Sequence, residues 1–254
     1  MMVHGIDLGS RQVKLISRCA ETGSIQRRLK FHTLEFYRQY SRHQGNQLEI
    51  DLNALGIENG PIVSTGYGRF HIQVAHAENI PELQAHVYGA IEQSGFKDFL
   101  LVDLGGQDSK IIQVENRAMV DFAMNDKCAA STGRFLENMA QALQLSLEEL
   151  SECYENPCVI SSTCAVFSET ESLSLLFNGT PIREIAAGIN LALFKRLMPM
   201  IGRFKFPYLL LSGGAAQSKA LHYFFQQKYP VPVELLPDPI FNGAIGCCAY
   251  YNRS

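Results

Sequence analysis

One short device, written twice, restricts the folds open to this chain more than anything else in it. Val3-His-Gly-Ile-Asp7 is a short apolar run that ends in Asp7-Leu-Gly-Ser10, and Val13-Lys-Leu-Ile16 alternates as a return strand would. Phe99-Leu-Leu-Val-Asp103 closes in the same manner on Asp103-Leu-Gly-Gly-Gln107, and Lys110 to Val114 alternates back. A buried strand ending on an aspartate, a glycine turn and an antiparallel return, used twice, are most simply an internal duplication of an α/β unit. At 254 residues the chain can give each copy a core of its own.

The remaining pattern fits two such lobes. Pro61-Ile-Val-Ser-Thr65 reads as a strand closed by Gly66-Tyr-Gly-Arg69, and Leu83, Val87 and Ile91 predict a helix over 81–94 that leads out of the first lobe. Ile185, Ile189, Leu193 and Leu197 predict a helix over 181–198. Tyr208-Leu-Leu-Leu-Ser212 is a buried strand running into Gly213-Gly214, followed by a helix from about Gln217 to Gln227 and a strand over 231–235. The expected division is 1–95 for the first lobe and 96–241 for the second, with the last helix, 242–254, packing back on the first.

Three glycine turns after buried strands, at Gly9, at Gly105-Gly106 and at Gly213-Gly214, suggest a nucleotide site shared between two lobes. Turn amides suit phosphate oxygens, because successive backbone N–H groups form a concave donor surface. Asp7 and Asp103 can hold Mg²⁺ through water, and Gln107 or Asp108 can orient an attacking water, which is the chemistry of ATP cleavage. No Walker A pattern is present, so the site is not that of a P-loop protein. A net charge of −3 with scattered Lys and Arg gives no basic stripe for nucleic acid. Arg27, Arg28 and Lys30 fit a solvated strand edge or turn. No window approaches a membrane span and no secretory pattern opens the sequence, so a cytoplasmic address is expected.

The cysteines are the second unusual feature. Seven of them in an expected reducing compartment argue against a disulfide framework. Cys128, in Asn125-Asp-Lys-Cys-Ala-Ala-Ser-Thr132, precedes a helix carrying Phe135, Leu136, Met139 and Leu143, with Ser131 and Thr132 at the capping positions. Cys164, in Ser161-Ser-Thr-Cys164, stands before a helix carrying Val166, Phe167, Leu173 and Leu176, with Ser161, Ser162 or Thr163 as the cap. Helix N-termini favour thiolates and the anionic groups that thiolates hold. A cubane iron–sulfur cluster needs four thiolates, and a two-fold dimer doubles this pair to four at its axis. Cys153 and Cys158 lack ferredoxin spacing and read as structural, while Cys19, Cys247 and Cys248 read as core or edge residues. His4, His71, His76 and His86 show no metal spacing.

Taken together, Asp7 to Ser10, Thr65 to Arg69, Asp103 to Asp108, Met124 to Leu136, Ser162 to Phe167, Ser212 to Ala215 and Asn242 to Gly246 resemble one family. It comprises the ATPases that activate 2-hydroxyacyl-CoA dehydratases together with the ATPase subunits of benzoyl-CoA reductase, within the acetate-kinase, sugar-kinase, Hsp70 and actin superfamily. The resemblance covers nearly the whole chain. It implies an α/β, actin-like ATPase of two RNase H-like lobes with a nucleotide cleft between them, and a homodimer sharing one [4Fe–4S] cluster. It also implies low-potential electron transfer driven by ATP hydrolysis, from a ferredoxin or flavodoxin to an iron–sulfur dehydratase or reductase. The family's cluster ligands fall on Cys128 and Cys164, its phosphate loops on Asp7 to Ser10 and Asp103 to Gln107, and its adenosine loop on Gly213 and Gly214. Lys14 and Asn242 complete the implied ATP/ADP set. Ser131 stands where the family usually has glycine, and Gln84-Ala-His86 lacks a cysteine commonly followed by His. The competing readings are a sugar or carboxylate kinase on the same fold, with Asp126 as its base, and a nucleotide-dependent clamp without redox chemistry.

Overall fold

The computed structural model describes residues 1–44, 47–57, 60–66, 72–74, 76–162 and 164–252. The chain forms two compact units, Met1–Phe96 with Ile240–Ser254, and Lys97–Pro239.

The first unit opens with β1 (Met2–Leu8), β2 (Gln12–Cys19) and β3 (Ile25–His32), followed by α1 (Thr33–Tyr40). The short strands β4 (Ser41–Gln44), β5 (Gln47–Ile50), β6 (Ile62–Thr65), β7 (Ile72–Val74) and β8 (Ala77–Asn79) lead to α2 (Glu82–Ser94). Its main sheet runs β3-β2-β1-β6-β8, and β4-β5-β7 make a separate small sheet. β1 is buried almost throughout, because the sheet is covered on both faces: Ile6, Leu8, Val13 and Leu15 pack with Phe36, while Val3 and Ile16 pack with Ala244 and Ile245. At the outer edge β3 leaves Arg27, Arg28 and Lys30 to solvent. An edge strand with exposed cations resists further pairing.

In the second unit β9 (Phe99–Leu104), β10 (Ser109–Glu115) and β11 (Ala118–Asn125) are followed by α3 (Gly133–Ala142), α4 (Leu147–Ser151), α5 (Ala165–Phe177) and α6 (Ile182–Ile201). β12 (Leu209–Ser212), α7 (Lys219–Lys228) and β13 (Val233–Leu235) complete it, and α8 (Asn242–Tyr251) belongs to the first unit. The sheet order is β11-β10-β9-β12-β13. This is the order of the first unit's main sheet, so the duplication visible in two hairpins extends to whole sheets.

Helix α6 carries the second core. Ile185, Ile189, Leu193 and Leu197 are buried against Phe135, Met139, Leu209, Leu211 and Phe225. Its apolar repeat continues past the expected end to Ile201 through Pro199, which gives up one i→i−4 hydrogen bond near the helix end. Strand β13 starts at Val233 rather than Val231, because Pro232 has no N–H to give a ladder. α7 starts at Lys219, where the Ser218 hydroxyl accepts from the Leu221 amide. Among the described residues no helix is long and apolar enough to cross a membrane.

Candidate functional site

Each unit carries the same charged pair beneath a glycine turn. Asp7, near the end of β1, lies directly across the hairpin from Lys14, whose ammonium donates to Asp7 Oδ2 at 3.2 Å. Asp103 lies across from Lys110 in the same register, with Lys110 Nζ 3.7 Å from Asp103 Oδ2 and 2.8 Å from Asp108 Oδ1. Asp7, Asp103 and Lys110 are all but buried, at 3%, 2% and 3% exposure. Buried carboxylates persist only where an opposing charge or donors meet them. Lys110 was missed as a site residue in the sequence; its signal was its equivalence to Lys14 in the repeated hairpin.

The turns above these pairs are narrow. A Cβ on Gly9 would stand 2.7 Å from the Gln12 carbonyl oxygen and 3.2 Å from Lys14 Nζ; one on Gly105 would stand 2.5 Å from Asp108 Oδ1. Ser10 and Gln107 are exposed at the tips of their turns, with Gly106 half-buried beside Gln107. Asp108, weighed with Gln107 for orienting water, is instead turned to Lys110. Tyr37 of α1 adds a group the sequence did not flag: burial and the neighbouring Asp7 carboxylate push its phenol up to about 12.

The parallel strand beside each pair ends in a glycine of the same kind. Thr65 aligns with Asp7, and Ser212 with Asp103. Gly66 and Gly213 then take φ values of 101° and 88°. A Cβ there would lie 2.6 Å from the Leu8 carbonyl oxygen and 2.3 Å from that of Leu104, so each strand end must be crossed by bare backbone. Gly214 is different, since nothing lies within 4 Å of its Cβ position. Tyr67 to Arg69 lie outside the described residues.

Asn242 does not join this group. It is wholly buried, donates to the His86 carbonyl oxygen at 3.0 Å and accepts from Gln93 Nε2 at 2.9 Å. Its amide fastens α8 to α2, so it serves packing. The neighbouring Gly243 brings α8 against Asp7, 3.2 Å from where its Cβ would be.

Cys128 and Cys164 are both exposed. Asn125 holds Cys128 from two sides, accepting from its amide at 3.2 Å and donating to its carbonyl at 2.7 Å. A 3-10 turn, Ala129–Ser131, separates it from α3, and the capping expectation needs correction there. Thr132 is at the N-cap, but its hydroxyl donates back to the Ala129 carbonyl. The leading amides of α3 are taken by the glycine turn instead: Gly133 N donates to Gly105 O at 2.9 Å and Arg134 N to Gly106 O at 3.0 Å. The Ser109 hydroxyl also donates to the Ser131 carbonyl. α3 is therefore docked on the Asp103 turn and does not aim free amides at Cys128.

At α5 the N-cap is Cys164 itself, and neither Ser161 nor Ser162 caps it. Thr163 lies outside the described residues. The reason is Glu171, which reaches back from α5 to accept from Ser161 N, Ser161 Oγ and Ser162 N at 2.9, 2.5 and 2.8 Å. Burial works against its charge, but the hydrogen bonds from Ser161 and Ser162 outweigh it and hold the carboxyl at about 2. Burial pushes the Cys153 and Cys158 thiols up, as suits packed cysteines, and Cys247 and Cys248 are buried in α8. His4 and His86 are buried packing residues, His76 is exposed, and His71 lies outside the described residues. Among the described residues no group of three or more His, Cys, Asp or Glu is gathered for a metal. One chain thus offers two exposed thiols, which fit half of a four-thiolate set.

Duplicated sheets, each with a buried aspartate under a glycine turn, define an actin-like ATPase fold. The chain belongs to the BadF/BadG/BcrA/BcrD ATPase family, whose pattern matches residues 5–250, and it is an ATPase of that family. It is 35% identical over 198 residues to the (R)-2-hydroxyglutaryl-CoA dehydratase activating ATPase of Acidaminococcus fermentans, covering 74% of each chain. One of the benzoyl-CoA reductase polypeptides of Thauera aromatica is 27% identical over 267 residues, covering 97% of this chain and 91% of that one. Among solved structures, the activator of the 2-hydroxyisocaproyl-CoA dehydratase from Clostridium difficile with bound ADPNP superposes with a TM-score of 0.84 at 28% identity. That match covers 100% of this chain and 95% of the other.

Proposed function

We propose that the chain couples ATP hydrolysis to low-potential electron transfer, activating a 2-hydroxyacyl-CoA dehydratase or a related double-cubane iron–sulfur reductase. In this reading the amides around Gly9, Ser10, Gly105 and Gly106 receive phosphate oxygens, and Gly213-Gly214 borders the adenosine. Asp7 and Asp103 hold Mg²⁺ through water, Lys14 and Lys110 keep those carboxylates oriented, and Gln107 aligns the attacking water. Cys128 and Cys164 of two copies would hold one [4Fe–4S] cluster, which when bound supplies a one-electron couple loaded by a ferredoxin or flavodoxin.

The observation that carries the reading is the direct bonding of the Cys128 segment to the Asp103 turn. Through Gly133, Arg134 and Ser109, a change in the turn reaches the cysteine across only the short 3-10 turn Ala129–Ser131. A second copy is supported by the ground beside Cys164, where Val159, Val166 and Phe167 are 75%, 69% and 67% exposed. Apolar side chains beside a ligand pair that is two thiols short suit a self-complementary contact. The kinase reading gains nothing comparable, since Asp126 is exposed on the loop before Cys128.

The test is iron and sulfide analysis with EPR on protein purified without oxygen. Expected are about four irons per dimer and a signal that grows on reduction. Cys128→Ala should lose the iron and keep its affinity for ATP; a variant that keeps its iron removes Cys128 from the ligand set. Colourless protein whose ATP turnover depends on an added sugar or carboxylate would establish the kinase instead.

A further inference from the structure

Arg196 lies on α6, whose buried positions are apolar apart from Asn190. Its guanidinium is half-buried and reaches both cysteine segments at once. Nη1 donates to the Ala130 carbonyl oxygen at 3.1 Å, just beyond Cys128. Nη2 donates to the Ser162 carbonyl oxygen at 2.7 Å, just before Cys164, and to Ser168 Oγ in α5 at 3.2 Å. The same group lies 4.3 Å from the centre of the Phe135 ring of α3. One cation thus gathers two loops that are far apart in sequence, and the aromatic ring fixes its plane. A guanidinium can do this because its donors form a rigid fork with a permanent charge; an ammonium has no such fork. Burial lowers the arginine's pKa, while Cys128 and Cys164, as sources of negative charge, act in the opposite direction.

We infer that Arg196 is the positioning residue of the cysteine pair, holding the Cys128 and Cys164 segments together and setting by its charge the reduction potential of the centre they ligate. The second half rests on the function proposed above; the first does not. Accepting one electron makes a thiolate-bound centre one unit more negative, so an adjacent fixed cation favours the reduced form.

The test uses full-length Arg196→Met and Arg196→Lys. In metal-free protein, amide hydrogen exchange over 128–134 and 161–168 should rise about tenfold in the Met variant, with the β9–β12 core unchanged. Lys should also exchange faster than wild type, having lost the fork. Unchanged exchange in both variants would overturn the clamp. After anaerobic reconstitution, redox titration followed by EPR should show the Met variant's reduced fraction falling about tenfold at fixed potential, or about 59 mV for a one-electron couple, with Lys close to wild type. An unaltered potential in the Met variant would leave Arg196 a purely structural residue and overturn the tuning. If the Met variant does not fold, Lys decides: faster exchange at near-wild-type potential supports the inference, and wild-type exchange overturns it. If wild-type protein takes up no iron, the electron-transfer reading fails, yet the exchange measurement still decides the clamp.

Discussion

Two adjacent glycines offer a test in which the same substitution should have opposite results. At Gly213, φ is 88° and an added Cβ would lie 2.3 Å from the Leu104 carbonyl oxygen. Left-handed backbone costs a residue with a Cβ about 1–2 kcal/mol. The overlap, about 1 Å inside ordinary contact, can be relieved only by moving the end of β9 or the turn itself, and overpacking of that kind costs about 1–3 kcal/mol. Gly213→Ala should therefore lose about 2–5 kcal/mol. With a urea slope of about 2 kcal/mol per M, the denaturation midpoint should fall by about 1–2.5 M. At Gly214, φ is −65° and ψ −42°, and the Cβ position is open. Gly214→Ala should be neutral or gain about 0.4–1 kcal/mol by restricting the unfolded chain. If Gly214 borders adenosine, that same folded variant should bind ATP more weakly, read by titration with a fluorescent nucleotide. A Gly213→Ala protein as stable as wild type, or a Gly214→Ala protein losing more than about 1 kcal/mol, would refute the assignment of Gly213 to folding and leave Gly214 without its spare space.

Glu171→Gln should cost about 1–2 kcal/mol at pH 7 after allowance for the carboxylate's partial exposure. Its folded value of about 2 lies below the ordinary 4.5, so the stabilisation is complete above pH 4.5 and is lost as pH falls towards 2. Urea midpoints of the two proteins should converge across that window; a constant gap would exclude the charge as its origin. Lys110→Met removes the ammonium from between Asp103 and Asp108 and should cost about 3–5 kcal/mol, measured by denaturation, with ATP turnover lost in whatever remains folded. Asn242→Ala strips a partner from the His86 carbonyl and should cost about 1–3 kcal/mol while leaving ATP affinity unchanged, as calorimetry would show.

The parts legible in the sequence were those where local pattern and tertiary role coincide. Asp7 and Asp103 close buried strands, and an aspartate at the end of an apolar run before glycine marks both turns with no knowledge of their neighbours. The helix expected over 181–198 declared itself because Ile185, Ile189, Leu193 and Leu197 repeat with helical period along its buried face. Residues 25–50 did not, since β3 buries little and the strands at 41–44 and 47–50 are too short to display a period. The caps misled for another reason. Ser161 and Ser162 look like helix starters, yet their amides are claimed by Glu171 from the second turn of the helix, a partner that no local rule names. Asn242 shares that difficulty, as a polar residue beside glycine whose amide is wholly used by α2. Arg196 was silent altogether, one of four charged residues in its helix and next to Lys195, because its meaning lies in loops distant from it in sequence.

The docking of α3 on the Asp103 turn also fixes something on the turn's far side. In a trans peptide the carbonyl and the amide hydrogen point in opposite directions across one rigid plane. Gly133 and Arg134 each hold the carbonyl edge of a peptide, Gly105–Gly106 and Gly106–Gln107 respectively. The opposite edges, the N–H groups of Gly106 and Gln107, are thereby turned away from the helix and held at a set angle. Glycine makes this turn the most easily rotated stretch of the hairpin. The helix converts it into a pair of aimed dipoles, oriented before any anion approaches.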